Sequence, residues 1–349
     1  MQKPPFANPD FAFRRKNPRG LAAEVAYAGA LSFLRRKYSK DLADIDLAVI
    51  GVPFDLATTN RSGTRLGPRA IRAASSMIAC WSRIYPWDFD TFLRIAAVDW
   101  GDISFDFGQP GTAPESIRAA VAEILATNTA TLALGGDHFI TYPILQAYAE
   151  KHGKPLSLIH FDAHSDTWRD PDGRIDHGTM FFHAARKGIV APERSVQIGL
   201  RTYNPETHGF NIFDAGAVRS MGTATVAERA REIVGDNPCY ITFDIDCLDP
   251  AYAPGTGTPE PGGLTTTEAR ELLFGLRGVH VAGMDVVEVS PPYDHGEITA
   301  LAGATIAFML ASLFAERFPR HPREDARAAK LSEAAADGGD PFTESGEDT

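Results

Sequence analysis

The sequence is poor in cysteine and has no excess of basic residues. Cys80, Cys239 and Cys247 are spread over 349 residues with no CxxC spacing. This pattern disfavours a disulfide framework and fits a reducing cytoplasm, with the three thiols read as small core residues. The formal net charge of −11 excludes a general nucleic-acid-binding role, because such a role needs a basic face. We therefore expect a cytoplasmic protein with no nucleic-acid partner.

Long hydrophobic runs are also absent. The most apolar stretch, residues 300–314, is shorter than the roughly 20 residues that a membrane-spanning helix needs. It predicts a buried helix, and we expect no membrane partner. The N-terminal region contains Arg14, Arg15 and Lys16 and no apolar signal segment, so secretion is not expected.

Short apolar runs alternate with longer amphipathic stretches through most of the chain. This alternation is typical of repeated βαβ units around a mainly parallel sheet, and it predicts one α/β domain over residues 45–319. Residues 1–44 are predicted to form an N-terminal arm. Residues 320–349 hold eight acidic and four basic residues and are predicted to be a disordered tail. We predict strands at 47–52, 95–98, 131–134, 156–161, 196–200, 240–243 and 279–281, and helices at 68–79, 114–125, 142–151, 225–234 and 266–276.

Three of these predicted strands are followed by acidic and imidazole side chains. Side chains two residues apart in an extended segment project to the same side. In a parallel sheet the carboxyl ends of the strands meet at one edge, where ligands bind. The residues that this pattern brings together are His138, then Asp162, His164 and Asp166, then Asp244 and Asp246.

Four carboxylates in one cleft repel one another unless cations offset them. Two divalent ions would balance four aspartates, and an oxygen-rich site with imidazole but no thiolate suits Mn²⁺, with Ni²⁺ or Co²⁺ as alternatives. Such ions activate water for attack on an sp² carbon. A single Asp-x-His-x-Asp run is equally well explained by turn capping or a surface ion pair. Supporting or turn roles are the better interpretation for Asp102, Asp137, His160 and Asp249.

Five segments resemble the ureohydrolase family, which includes arginase and agmatinase. They are Gly-Gly-Asp-His-Phe-Ile-Thr at 135–141, Phe-Asp-Ala-His-Ser-Asp-Thr at 161–167, Phe-Asp-Ile-Asp-Cys-Leu-Asp-Pro at 243–250, Ala-Pro-Gly-Thr-Gly-Thr-Pro at 253–259 and Asp-Val-Val-Glu-Val-Ser-Pro at 285–291. The resemblance implies a three-layer α/β/α fold around a mainly parallel eight-stranded sheet. It also implies assembly as a homotrimer or homohexamer.

The resemblance further implies residue roles. His138, His164, Asp166 and Asp246 would hold the two ions together with Asp162 and Asp244, which would bridge them. His177 matches the family histidine thought to move protons, and Glu288 matches the glutamate that grips the guanidinium group. Their chemistry suits these roles, because imidazole transfers protons near neutral pH and carboxylates accept paired N–H bonds.

The expected activity is hydrolysis of a guanidinium C–N bond with release of urea, with agmatine converted to putrescine as the first choice. A guanidino acid, 4-guanidinobutanoate or 3-guanidinopropanoate, or free guanidine remains an alternative substrate. An inactive metal-binding assembly subunit is an alternative of another class, disfavoured because all eight site residues are present. Arginase-like enzymes hold an α-carboxylate with Asn and Ser in the loop at 167–176, which here contains neither. That loop does contain three Asp, which could attract a second cation, and Arg169 and Arg174, which could pair with a carboxylate.

Overall fold

The computed structural model describes residues 25–81, 83–106, 108–170 and 172–319. Eight strands form one sheet in which every pairing is parallel. The strands are β1 Leu47–Val52, β2 Ala97–Asp102, β3 Ala130–Gly135, β4 Ser157–Phe161, β5 Val196–Ile198, β6 Asn211–Phe213, β7 Cys239–Asp244 and β8 Val281–Val287. Their order across the sheet is β2-β1-β3-β8-β7-β4-β5-β6. The predicted mainly parallel, eight-stranded sheet is confirmed.

Helices cover both faces of the sheet. They are α1 Gly67–Ile78, α2 Thr91–Arg94, α3 Ala113–Ala126, α4 Thr141–His152, α5 Met180–Arg186, α6 Ala215–Met221, α7 Thr223–Val234, α8 Thr266–Gly275 and α9 Ile298–Ala315. One hydrophobic core joins the sheet to α1, α7, α8 and α9, and a second joins the opposite face to α3, α4 and α5. The result is the three-layer α/β/α architecture, whose central strands are buried on both faces.

Local signals in the sequence account for several helix boundaries. Pro68 and Pro114 stand in the first turns of α1 and α3, where proline costs no hydrogen bond. At the start of α8, Thr265 and Glu268 form a capping box, which satisfies amide groups that have no partner within the helix. α4 stops at Gly153, whose φ is 63°, a conformation that glycine adopts without strain.

Helix α9 contains the apolar stretch predicted to be buried. It is the one helix of the described residues that is long and apolar enough to cross a membrane, and 78% of it is buried inside the protein. It packs against α1, α8 and β8. The prediction of a core helix over residues 300–314 is confirmed.

Two strand predictions were wrong by two or more residues at both ends, and one strand was missed. β8 extends to Val287, well beyond the predicted end at residue 281. Gly283 and Asp285 interrupt the apolar run in the sequence, but both are buried within the strand. A Cβ at Gly283 would collide with the Tyr148 ring, so glycine there allows close packing. β2 likewise starts and ends later than predicted. β6 has only three residues, is partly exposed and lies at the sheet edge, so its apolar run was too short to predict a strand.

The described part of the N-terminal segment packs onto the domain. Phe33 and Leu34 are buried, and their amides donate to Asp99 Oδ2 at 2.7 Å and Ser75 Oγ at 2.8 Å. The role of residues 1–44 as an arm stays a prediction, and residues 1–24 lie outside the described residues. The predicted disordered tail, 320–349, also lies outside them.

Candidate metal centre

The structure brings all six predicted ligand residues to one place. They follow β3, β4 and β7, which with β8 form the four adjacent strands at the centre of the sheet. Five of the six are buried, and the His164 side chain is 15% exposed. The predicted six are His138, Asp162, His164, Asp166, Asp244 and Asp246.

The backbone before His138 is shaped by glycine. A Cβ at Gly136 would collide with the carbonyl oxygen of Phe54, so the chain can make this close approach only with glycine. Two site residues that are not glycine, Asp166 and Glu288, have φ values of 52° and 63°. Such left-handed conformations are strained for side chains with a Cβ and concentrate at functional sites.

One imidazole nitrogen is surrounded by three carboxylates. His138 Nδ1 lies 3.0 Å from Asp162 Oδ2, 3.0 Å from Asp166 Oδ2 and 3.1 Å from Asp244 Oδ2. We call this group of four residues the deep end of the cluster. Imidazole nitrogen with several carboxylate oxygens is a ligand set that Mn²⁺ and similar divalent ions accept.

Hydrogen bonds identify which His138 nitrogen carries the proton. Thr242 Oγ1 donates to Asp285 Oδ1 at 2.6 Å, so it accepts from His138 Nε2, 2.8 Å away. In the neutral ring, the form that can bind a metal ion, the lone pair is therefore on Nδ1, which is buried and has no hydrogen-bond partner among the described residues. A lone pair facing three carboxylates is unfavourable without a cation, so the residues present fit a metal ion.

The second imidazole lies at the mouth of the same cluster. His164 Nδ1 is 3.2 Å from Asp162 Oδ1 and 3.1 Å from Asp246 Oδ2. We call His164, Asp162 and Asp246 the rim end. Asp162 thus presents one oxygen to each end, as expected of a bridging ligand, whereas Asp244 lies beside the His138 imidazole at the deep end.

Two of the four carboxylates are disfavoured in their charged form by burial and by neighbouring carboxylates. Burial and the nearby Asp246 and Asp162 raise the pKa of Asp244 well above its ordinary value. Burial and Asp162 also raise the pKa of Asp166. Divalent cations would remove this repulsion.

The two predicted catalytic helpers are hydrogen-bonded to each other. His177 Nδ1 lies 3.0 Å from Glu288 Oε1, and the same oxygen accepts from the His138 amide at 2.9 Å. Glu288 Oε2 is buried and has no hydrogen-bond partner within the described chain. The glutamate therefore keeps one acceptor oxygen for another group.

The environment of His177 favours its charged form. Burial lowers its pKa, but the hydrogen bond to Glu288 and the charges of Glu288, Asp166 and Asp137 outweigh burial and raise the pKa to about 9. The Thr59 amide donates to Nε2 at 2.9 Å, which opposes a proton there. The Thr59 hydroxyl, 2.8 Å from the same nitrogen, can donate to the neutral ring or accept from the charged one.

Three supporting residues were missed by the sequence analysis, namely Gln197, Thr242 and Asp285. All are buried. Asp285 also accepts from Thr141 Oγ1 and Tyr240 OH, at 2.8 and 2.9 Å. A carboxylate within the apolar run of β8 was the available signal, since buried carboxylates need partners. Thr242 and Gln197 carried no signal, because neutral polar residues are common in strands.

The residues assigned supporting or turn roles have such contacts. His160 lies 2.7 Å from Asp162 Oδ2, and Asp137 accepts from the Ala57 amide at 2.8 Å. Asp249 accepts from the amides of a turn, and Asp102 forms an ion pair with Arg72 at 2.6 Å. The core role expected for the cysteines holds for Cys239 and Cys247, but Cys80 is exposed, so that interpretation was wrong for Cys80.

The loop at 167–176 has its arginines paired with acids. Arg169 Nε lies 2.8 Å from Glu206 Oε2, and Arg174 Nε lies 3.1 Å from Asp170 Oδ2. Both arginine side chains are largely exposed. Trp168, in the same loop, lies with its ring 6.4 Å from the His164 ring, so an aromatic surface adjoins the rim end.

Comparison with known proteins places this arrangement in a family. Residues 45–312 match the model of the arginase family. The chain belongs to the arginase family. It is 52% identical over 301 residues to an agmatinase of Chromobacterium violaceum, covering 85% of this chain and 92% of the relative. It is 48% identical over 293 residues to an agmatinase of Photorhabdus laumondii, covering 83% and 94%.

Solved structures of arginase-family proteins have the same fold. A protein described as a hypothetical agmatinase from Burkholderia thailandensis has a TM-score of 0.84 and 51% identity, covering 88% of this chain and 98% of that one. The proclavaminate amidino hydrolase of Streptomyces clavuligerus has a TM-score of 0.79 and 39% identity, covering 84% and 99%. The expected family, fold and class of enzyme, a metal-dependent ureohydrolase, are therefore confirmed. Arginase-family enzymes use two divalent ions, and the ligand cluster of this chain is consistent with that.

Proposed function

We propose that this chain hydrolyses agmatine to putrescine and urea at a pair of Mn²⁺ ions. The observation that carries the proposal is the unpartnered His138 Nδ1 facing three buried carboxylates, in a chain about half identical to agmatinases. Ni²⁺ and Co²⁺ suit the same donor atoms and remain alternatives for the metal.

The proposed ligands divide between the two ends defined above. His138 and Asp166 serve the deep end, His164 and Asp246 serve the rim end, and Asp162 and Asp244 serve both. When bound, two divalent ions would neutralise the four carboxylates and activate water for hydrolysis. The hydrogen bonds of Thr242 and Asp285 keep the Nδ1 lone pair of His138 directed at the deep end.

Glu288 is proposed to bind the guanidinium group. Its free Oε2 is buried beside the cluster, and a carboxylate in such a site accepts a charge-assisted N–H bond from a planar cation. The positive φ of Glu288 turns the chain immediately after β8. Its Oε1 bonds to the His138 amide and to His177, so the orientation of this carboxylate is fixed before substrate arrives.

His177 is proposed to hold and deliver the proton that the departing amine needs. It is bonded to the residue that binds the guanidinium, which places it near the leaving nitrogen. In the metal-free protein the hydrogen bond to Glu288 and the nearby carboxylates raise its pKa to about 9, and imidazole is a suitable proton donor near neutral pH. Breaking the C–N bond requires that proton, because an amine leaves more readily than an amide anion.

The substrate's far end favours agmatine over a guanidino acid. An acid would need a cationic partner, but Arg169 and Arg174 are each already paired with acidic neighbours in or near the loop. The Trp168 ring instead offers a surface suited to an aliphatic chain or a cation. Asp170 is less able than expected to attract the second cation of agmatine, because its carboxylate already accepts hydrogen bonds from Arg174 and from a backbone amide.

The decisive experiment compares kcat/KM for agmatine, 4-guanidinobutanoate, 3-guanidinopropanoate, arginine and guanidine, because that ratio defines substrate discrimination. We expect agmatine to lead each of the others by more than about tenfold, or roughly 1.4 kcal/mol. A comparable lead for either guanidino acid would show that agmatine is not the preferred substrate, but the proposed hydrolysis of a guanidinium C–N bond would still hold. No urea from any guanidino compound in the fully metal-loaded protein would support the alternative of an inactive assembly subunit.

Metal dependence is tested by dialysis against a chelator. We expect urea release to disappear, and Mn²⁺ to restore it better than Zn²⁺. Persistent activity in protein shown by elemental analysis to be free of metal would refute the two-ion mechanism. If Ni²⁺ restored urea release best, the proposed metal would be Ni²⁺ instead of Mn²⁺ and the two-ion mechanism would be unchanged.

The remaining proposals concern the setting of the enzyme. Assembly as a homotrimer or homohexamer is proposed from the family resemblance, and light scattering would measure it against the chain mass of 37.8 kDa. A cytoplasmic location also stays a prediction.

A further inference from the structure

A third histidine lies against the metal cluster. His160 is fully buried, and its Nε2 is 2.7 Å from Asp162 Oδ2. One ligand atom each from His160, His138, Asp162 and Asp166 lie within 4.8 Å of one another. By distance alone, His160 could therefore be a further metal ligand or a residue that positions Asp162.

The neighbouring strand distinguishes these roles. Gln197 of β5 is the direct register partner of His160 in β4. Its Nε2 donates to the Ser165 carbonyl oxygen at 2.7 Å and lies 2.9 Å from His160 Nδ1. If the Gln197 amide were flipped, its oxygen would lie about 2.7 Å from the Ser165 carbonyl oxygen, and two acceptor oxygens that close repel each other. The orientation of the Gln197 amide is therefore determined.

The orientation of Gln197 determines the tautomer of His160. The amide can only donate to Nδ1, so Nδ1 accepts and the proton of the neutral ring is on Nε2. That proton is donated to Asp162 Oδ2. A nitrogen that carries a proton has no lone pair for a metal ion, so His160 Nε2 is not available as a ligand.

The His160 ring is packed between two other rings. The Phe181 ring packs edge-on against His160 with centroids 4.7 Å apart, and the His138 ring does so at 5.1 Å. Gln197 Oε1 is buried and has no hydrogen-bond partner in the described part of the chain. An unpaired buried oxygen is unfavourable. The Gln197 amide is therefore held in this orientation by the hydrogen bonds that its NH₂ group donates to His160 and Ser165.

We propose that His160 is a positioning residue whose tautomer is set by Gln197 and which holds Asp162 so that one carboxylate oxygen faces each end of the cluster. This inference rests on the proposed two-ion centre. Without the Nε2–H bond, Asp162 could rotate and lose its simultaneous approach to His138 and His164. Outer hydrogen-bond partners of this kind affect metal affinity without touching the metal.

The test measures ion stoichiometry and affinity in three variants of the full chain. His160→Phe keeps a ring of similar shape and removes both nitrogens. His160→Gln restores an N–H donor near the Nε2 position, and Gln197→Met removes the amide at nearly constant volume. Mn²⁺ stoichiometry is measured by elemental analysis at saturation and affinity by titration calorimetry. Thr131→Val, a buried threonine bonded to Tyr148 at the opposite end of β3, is the matched control.

We expect His160→Phe to bind two ions at saturation with roughly 10- to 100-fold lower affinity. His160→Gln should recover most of that loss, Gln197→Met should show a smaller loss of up to about tenfold, and Thr131→Val should match the wild type. Rescue by His160→Gln separates positioning from general structural damage, because a purely structural role of the ring would not be restored by a flexible amide.

Two results would overturn the inference. If His160→Phe bound only one Mn²⁺ ion per chain at saturation, His160 would be a metal ligand. If Mn²⁺ affinity were unchanged in both His160→Phe and Gln197→Met, His160 would not position Asp162. If His160→Phe fails to fold, as judged by circular dichroism, Gln197→Met decides the matter, because the hydrogen bonds of Gln197 within the described residues are to His160 and the Ser165 backbone rather than to a proposed ligand side chain. A wild-type protein that binds fewer than two ions would instead refute the two-ion centre.

Discussion

The deep and rim ends of the cluster use similar side chains in different surroundings. His138 is 1% exposed and has its Nε2 held by Thr242, which is in turn held by Asp285. The His164 side chain is 15% exposed, and the Trp168 ring lies near it. Buried hydrogen bonds therefore preorganise the deep end before metal binds, whereas the rim end is partly exposed through His164. We expect the deep ion to be held tightly and the rim ion to exchange faster.

The largest expected effect comes from Asp162, whose two oxygens lie beside the imidazoles of both ends. Asp162→Asn removes the charge that faces both His138 and His164. We expect kcat/KM to fall by about 10³-fold or more, since a cation pair contributes several kcal/mol of transition-state stabilisation. Steady-state kinetics with elemental analysis checks this, and loss of one ion alone would show that Asp162 does not bridge.

The second-largest effect is expected for His177→Ala, which should leave both ends of the ligand cluster intact. His177 contacts Glu288 and Thr59 rather than a proposed ligand side chain. His177→Ala should therefore keep two ions and lose roughly 10²-fold in kcat, the typical contribution of a positioned proton donor. Wild-type turnover of this variant at every pH would remove His177 from the mechanism.

The same variant gives a test by pH in the metal-free protein. The folded pKa of His177, about 9, exceeds its ordinary value of 6.5, so the folded state binds this proton more tightly than the unfolded state. The resulting stability is fully present below about pH 6.5 and is lost as the pH rises through about 9. Thermal unfolding should show the largest gap between wild type and His177→Ala below pH 6.5. A gap independent of pH would contradict the raised pKa.

A smaller change should separate the two ends. Asp285→Asn weakens the support of Thr242 and thus of His138 at the deep end, and the hydrogen bonds of Asp285 within the described residues involve no rim-end residue. We expect one of the two Mn²⁺ affinities to fall by about 10- to 100-fold and the other to stay near the wild-type value. Calorimetric titration resolves the two sites, and an equal loss at both would show that the ends are not independently supported.

The smallest effect is expected outside the cluster. Arg169 forms an exposed ion pair with Glu206, and such pairs contribute little. Arg169→Ala should change kcat/KM for agmatine by less than about twofold. Lys substitution at the same position serves as the matched control for charge. A selective loss of activity toward 4-guanidinobutanoate would indicate instead that Arg169 binds a substrate carboxylate.

Local chemistry made much of the site predictable. Asp162, His164 and Asp166 recur at the two-residue period of an extended segment, so their shared direction follows from the backbone alone. The resemblance of the surrounding segments to ureohydrolases then identified His177 and Glu288. The end of β8 was less predictable, because the predicted strand stopped at residue 281, whereas the observed strand continues through Asp285, a buried acceptor for three hydroxyl groups.

The sequence by itself determined the parallel α/β class, the positions of the ligands at strand ends and the need for cations, because period, polarity and charge are properties of neighbouring residues. Only the tertiary structure decided which nitrogen of His138 faces the metal site, that His177 bonds to Glu288, and that Gln197 controls His160. These contacts join residues 37 to 111 positions apart. Strand order and register bring such residues together, and no local pattern records which distant partner a buried polar group will find.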